Sequence, residues 1–167
     1  VKTISPCCIS SKTTELTDQK IIKSYNSEEY TKLRENLFNG IKDPSCESCW
    51  KKENNGGQSL RKTINQNLEE MLGEKKFQTL IDDIANRDFR IKDVYSLDFF
   101  PSSYCNFRCR MCGPHASSKW AKTLNLTTES ADFEFNESIL KEIILTKKLV
   151  KLNFTGGETI LQKQVYR

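Results

Sequence analysis

Seven cysteines share this sequence with a single histidine, and their spacing is the first feature in it that could do chemistry. They fall as Cys7 and Cys8, Cys46 and Cys49, then Cys105, Cys109 and Cys112. Cysteines set two residues apart suit a metal better than a spread disulfide framework. An odd count, in a sequence without a secretory opening, points to a reducing cytoplasm. The run CNFRCRMC from Cys105 to Cys112 brings three thiolates together and omits a fourth. A closed zinc site needs four ligands, and the nearby His115 could supply the last one. A four-iron cluster held by three cysteines instead leaves one iron open to a substrate or cofactor. Soft thiolates on a tight loop that offers backbone N–H groups to sulfides suit such a cluster.

The elements that must hold these residues follow from pattern. Residues 1 to 22 show no sustained period. Asn26, with Glu29 after it, predicts a capped helix whose face carries Tyr30, Leu33 and Leu37 and which stops at Gly40. Pro44 disfavours helical geometry at Asp43, leaving Cys46 and Cys49 on a turn free to fold around an ion. Beyond Gly56 and Gly57, Leu60, Ile64, Leu68 and Leu72, then Phe77, Leu80, Ile81 and Ile84, predict two helices broken near Gly73. The texture changes near residue 92. Val94 to Phe100 reads as a strand ended by Pro101, and residues 116 to 124 as a helix with Trp120 in the core. Asn136 caps a further helix through Thr146, and Leu149 to Thr155 reads as a second strand running into Gly156, Gly157 and Glu158. Two strands separated by helix make a βαβ pattern, and ligands of α/β architectures gather at the strands' C-terminal ends. The cysteine loop and the Gly-Gly-Glu step both lie at such ends.

The loop CNFRCRMC directly after a strand, with Met111 before its last cysteine, and Gly156-Gly157-Glu158 after the next strand together resemble the radical S-adenosylmethionine superfamily. The resemblance implies that Cys105, Cys109 and Cys112 ligate three irons of a [4Fe-4S] cluster. The amine and carboxylate of S-adenosylmethionine would chelate the fourth. Gly156, Gly157 and Glu158 would meet the amino group of that methionine, two glycines letting the backbone approach and a carboxylate complementing an ammonium. The backbone around Met111 would lie along the adenine. The implied activity is reductive cleavage of S-adenosylmethionine to a 5′-deoxyadenosyl radical that takes a hydrogen atom from substrate. A low-potential donor such as flavodoxin or ferredoxin would reduce the cluster. Arg108, Arg110 and His115 read as solvated residues beside it.

The stretch CESCWKKENNGGQSLR, from Cys46 to Arg61, resembles the cysteine-bearing segment of radical enzymes with a twitch domain, a half-sized relative of the SPASM module. There it holds an auxiliary iron–sulfur cluster. On that resemblance Cys46 and Cys49, with Cys7 or Cys8, would ligate a second cluster; zinc, or no metal, are the other readings of the same thiols. Trp50, Glu53, Gly57, Ser59 and Arg61 would be scaffold around them. In many SPASM and twitch enzymes the auxiliary cysteines follow the barrel, whereas these precede it. The same resemblance makes a peptide or protein side chain the expected substrate class.

The expected fold is α/β: a mostly helical cysteine-bearing segment over residues 1–92, then the opening βαβ portion of a partial (β/α)6 TIM-like barrel over 93–167. The sequence starts at Val1 and stops soon after Glu158, so part of a longer enzyme is expected. With 167 residues, 37% apolar and 29% charged, the chain has the means for one domain or two small ones and is not of disordered composition. Its 26 basic and 22 acidic residues leave 26 − 22 = +4 without an Arg-rich block, so nucleic acid is not indicated. No apolar run approaches the roughly 20 residues that span a membrane. The sequons at Asn125, Asn136 and Asn153 carry no glycan in a cytoplasmic chain. Two rival classes remain: a non-catalytic zinc-binding interaction module, and an electron-transfer iron–sulfur protein, which asks for a fourth cysteine that the 105–112 loop lacks.

Overall fold

The first residues fold where periodicity predicts nothing. Thr3–Ile4 (β1) pairs antiparallel with Thr14–Glu15 (β2), so the cysteine pair at 7 and 8 lies on the connection of a short hairpin. These belong to a computed structural model that describes residues 3–16, 20–100, 102–126, 141–142 and 147–161 as a mixture of helix and strand. The chain divides into two units, Val1–Val94 and Tyr95–Arg167.

In the first unit a short helix, Ile21–Tyr25 (α1), leads into Glu28–Phe38 (α2). Tyr30 and Leu33 form the buried face of α2, as their spacing predicts, while Leu37 is half-buried. The cap is Ser27 rather than Asn26. Asn26 is spent elsewhere: its Nδ2 donates to the Ile91 carbonyl at 2.7 Å and its Oδ1 accepts from the Ile91 N–H at 2.8 Å. Those two backbone groups thereby gain the partners a neighbouring strand would have supplied. Arg34 holds the same stretch, donating through Nε to the Phe89 carbonyl at 2.6 Å and through Nη2 to that of Tyr25 at 2.8 Å. Burial pulls Arg34 down to about 10, the Tyr25 charge opposing it. α2 stops in a Schellman arrangement, with Gly40 at φ 71° and the Ile41 N–H reaching back to Asn36 at 2.8 Å.

A 3-10 turn, Pro44–Cys46, runs straight into the helix Glu47–Asn54 (α3), so Cys46 and Cys49 are not on the open turn that Pro44 suggested. Leu60–Leu72 (α4) and Glu74–Ala85 (α5) follow, broken at Gly73 as expected. Their apolar faces are half-buried rather than buried, and Ile64 is exposed.

In the second unit Ser96–Phe99 (β3) and Lys151–Phe154 (β4) pair in parallel, Ser96 opposite Lys151 through Phe99 opposite Phe154. Asn153 Nδ2 bonds Asp98 Oδ1 across the pair at 2.6 Å, and the Phe99 and Phe154 rings meet edge-on at 6.0 Å. Ser118–Thr123 (α6) stands between the strands in sequence, as a parallel crossover requires. The helix expected from Asn136 to Thr146 lies, but for residues 141 and 142, outside the described residues. The two strands make one small parallel sheet, and β1 and β2 a second, antiparallel one. No helix among the described residues is long and apolar enough to cross a membrane.

Candidate functional site

In the first unit the positioning starts with two tyrosine hydroxyls. Tyr30 bonds the Ile4 carbonyl and Tyr25 that of Ser5, each at 2.8 Å, which fixes the hairpin against α1 and α2. Ser5 Oγ then bonds the Cys7 carbonyl at 2.7 Å, and the Ser11 N–H reaches the Ser45 carbonyl at 3.3 Å. The hairpin connection is thus tied to the turn that carries Cys46.

Asp43 organises that turn. Its Oδ1 accepts from the Ser45 N–H at 3.0 Å and hydroxyl at 2.6 Å, its Oδ2 from Asn36 at 3.3 Å, and its carbonyl from the Trp50 indole at 2.9 Å. Ser45's hydroxyl is the main reason its carboxyl lies below the usual range. Cys46 then caps α3 and Cys49 sits in the first turn, 5% exposed.

Cys7, Cys46 and Cys49 share the wall of one cavity of about 190 Å³, beside Leu33, Leu37 and Ile64. Burial pushes the Cys46 thiol up; the Ser45 hydroxyl opposes it, and neighbouring Cys7, Asp43 and Cys49 add to the rise. Cys8 is exposed and off that wall, so the structure brings three of the four expected N-terminal cysteines together.

Of the residues expected as scaffold, Trp50, Glu53, Ser59 and Arg61 form a connected group, while the Gly57 N–H bonds the Lys52 carbonyl instead. Glu53 accepts from Ser59 Oγ and from Arg61 Nη2, the latter at 2.6 Å. Ser59 is fully buried and caps α4 by accepting from Lys62 N at 3.3 Å. The Arg61 guanidinium lies 4.2 Å above the Trp50 ring. Burial raises Glu53, but the hydrogen bonds from Arg61 and Ser59, with the Arg61 charge, hold its carboxyl below the ordinary range.

The 105–112 loop of the second unit is clamped by the start of α6. Ser118 Oγ accepts from the Cys105 N–H at 3.0 Å and donates to the Cys105 carbonyl at 3.1 Å. Ser117 bonds the Phe107 carbonyl at 2.7 Å while capping α6. The Trp120 indole bonds the Cys109 carbonyl at 2.9 Å, so Trp120 is a half-buried clamp rather than a core residue; Ala121 is buried instead. Within the loop the Phe107 N–H points to Cys105 Sγ at 3.4 Å, and Cys112 N to the Cys109 carbonyl at 3.0 Å. Cys109 and Cys112 are exposed, Cys105 half-buried, His115 exposed, and Met111 is 99% exposed.

Gly157 and Glu158 pack against Tyr104, the residue that precedes this loop. The Glu158 N–H bonds the Tyr104 carbonyl at 2.8 Å. A Cβ on Gly157, at φ 39°, would be driven into that carbonyl, and one on Gly156, at φ 85°, into the Phe100 ring. Glu158 Oε1 accepts from Ile160 N at 3.3 Å, at the turn Thr159–Leu161. Two motifs far apart in sequence therefore meet at the C-terminal ends of adjacent parallel strands.

Among the described residues no group of three or more His, Cys, Asp or Glu side chains is arranged to hold a metal ion. A lone zinc draws its sulfurs to about 2.3 Å from one point. In a cluster each cysteine binds its own iron, and the sulfurs stand further apart. The three thiols of each unit are soft donors of the kind that zinc and iron–sulfur clusters both take, and in the second unit the Phe107 N–H is directed at Cys105 Sγ beside a glycine cradle that a Cβ would fill.

Pattern reading missed Ser117, Ser118 and Trp120 as loop clamps and Asp43 as the turn's organiser. The signals were there: consecutive serines at a helix start, and Asp before Pro-Ser. Comparison with protein-family models, with curated proteins and with solved structures finds no match.

Proposed function

We propose that this chain carries the cofactor-binding part of a radical S-adenosylmethionine enzyme, with a peptide or protein side chain as substrate class and a flavodoxin- or ferredoxin-like protein as electron donor. One juxtaposition supports the reading: Gly157 and Glu158 seat on Tyr104, next to Cys105, where β3 and β4 end. A plain turn does not ask for two consecutive glycines pressed on the residue before a three-cysteine loop.

Cys105, Cys109 and Cys112 supply three sulfur ligands, and the Phe107 N–H is directed at the first of them. When bound, a reduced [4Fe-4S] cluster supplies the electron that cleaves S-adenosylmethionine to a 5′-deoxyadenosyl radical. Gly156 and Gly157 keep side chains away from the ground beside the loop, and Glu158 offers a carboxylate to the ammonium of the bound methionine. The backbone around Met111 serves the adenine. In the first unit Cys7, Cys46 and Cys49 hold a second iron–sulfur centre, with Cys8 outside it.

The test is anaerobic reconstitution with iron and sulfide, then electron paramagnetic resonance of the reduced protein with and without S-adenosylmethionine. A four-iron signal that changes on adding S-adenosylmethionine, and that a Cys105/Cys109/Cys112→Ala variant lacks, is the expected result. A folded protein that takes up zinc but no iron would place the chain among zinc-binding interaction modules. Iron uptake with a signal indifferent to S-adenosylmethionine would make it an electron carrier.

A further inference from the structure

We propose that Arg61 is the electrostatic partner of the centre held in the first unit's cavity, giving it positive charge and an N–H; this rests on the reading that Cys7, Cys46 and Cys49 hold such a centre. Arg61 lines the same cavity as the three thiols and is the one formally charged side chain among the described residues on its wall. Its Nε is buried and has no hydrogen-bond partner. Buried donors of this kind are nearly always satisfied, so an orphan on a residue that lines a cavity calls for an acceptor. Elsewhere on the guanidinium Nη2 is held by Glu53 at 2.6 Å and the plane lies 4.2 Å over the Trp50 ring, while Ser59 holds Glu53 in turn. Glu53 offsets part of the charge and leaves Nε unpaired.

Thiolates gathered on an apolar wall repel one another, and a cation on that wall offsets part of the repulsion. A thiolate-rich centre thus has a use for what Arg61 offers. An Arg serving only to brace α3 against α4 would have no reason to leave a buried N–H unmet on the residue that shares the cysteines' cavity.

The test uses the full chain in a Cys105/Cys109/Cys112→Ala background, reconstituted anaerobically, comparing Arg61 with Arg61→Lys and Arg61→Gln. Both variants lose the Nη2 bond to Glu53 and the flat stack on Trp50, so the metal-free proteins should melt at similarly lowered temperatures. Iron retention against a chelator and the reduction potential follow charge instead. Arg61→Gln should hold iron about 10- to 100-fold more weakly and shift the potential to more negative values, with Arg61→Lys recovering most of both. If Gln, Lys and Arg retain iron alike and share one potential, Arg61 is bracing alone and the inference falls while the centre stands. If the parent protein takes up no iron in this background, the N-terminal centre falls and takes the inference with it.

Discussion

A β-carbon on Gly157 has nowhere to go, because the Tyr104 carbonyl occupies its place. Gly157→Ala should displace the start of the cysteine loop and cost about 1–3 kcal/mol, the range for forced overpacking, measured by urea unfolding of the second unit. It should also remove the response to S-adenosylmethionine. Gly40, at φ 71° with nothing within 4 Å, is the control: Ala there costs about 1 kcal/mol of backbone strain and leaves both cysteine groups untouched. Asp43 links residue chemistry to pH. Its carboxyl is held below the usual range by Ser45, so the stability it gives is present above the ordinary carboxylate value and is lost as the pH falls through its own lower one. Asp43→Ala should therefore cost about 1 kcal/mol at pH 7, as a lost cap does, and the gap from the parent should narrow in acid. A gap that stays constant to pH 2 would show that the carboxylate's charge does not matter.

At the scale of elements, α6 is short, yet with its cap Ser117 its first residues hold three carbonyls and one amide of the loop before it. Trp120→Phe keeps the ring and removes the N–H to Cys109, so amides from 105 to 112 should exchange hydrogen faster while α6 itself is unchanged. How much of this was legible in the sequence depends on the range of the forces involved. The α4–α5 break at Gly73 and the two strands were legible because period and punctuation are local. Asn26 was misread as a cap because its partner, Ile91, is remote in sequence and no local pattern announces it. α3 was missed for a different reason: Pro44 does bar helix at Asp43, but a proline in the first turn with an aspartate before it also starts one. The site was readable as two motifs at two strand ends. What holds them, the seryl clamp, the indole tip of Trp120 and the Tyr104 contact, depends on tertiary placement and was not.

For the molecule as a whole, packing is uneven. Among the described residues the buried apolar side chains are Ile21, Tyr30, Leu33, Cys49 and Val94 in the first unit, against Ala121 in the second, where Tyr104, Phe107, Met111 and Ile160 are exposed. Hydrogen exchange of the metal-free protein should accordingly show its slowest amides in α2 and quick exchange across β3, β4 and the loop. Loading iron should slow the second unit's exchange most around 105–112, and no change there would count against a cluster on those cysteines. The clasp at residues 89–91 bears on time. Asn26 and Ile91 are 65 residues apart, so their pairing closes a long loop, and an ordering cost of that kind is met late in folding. Asn26→Ala should then leave the refolding rate nearly as it was and quicken unfolding, as stopped-flow chevrons would record. The side chain that failed as a helix cap would act as a timer, setting how long the first unit stays shut around its thiols once it has formed.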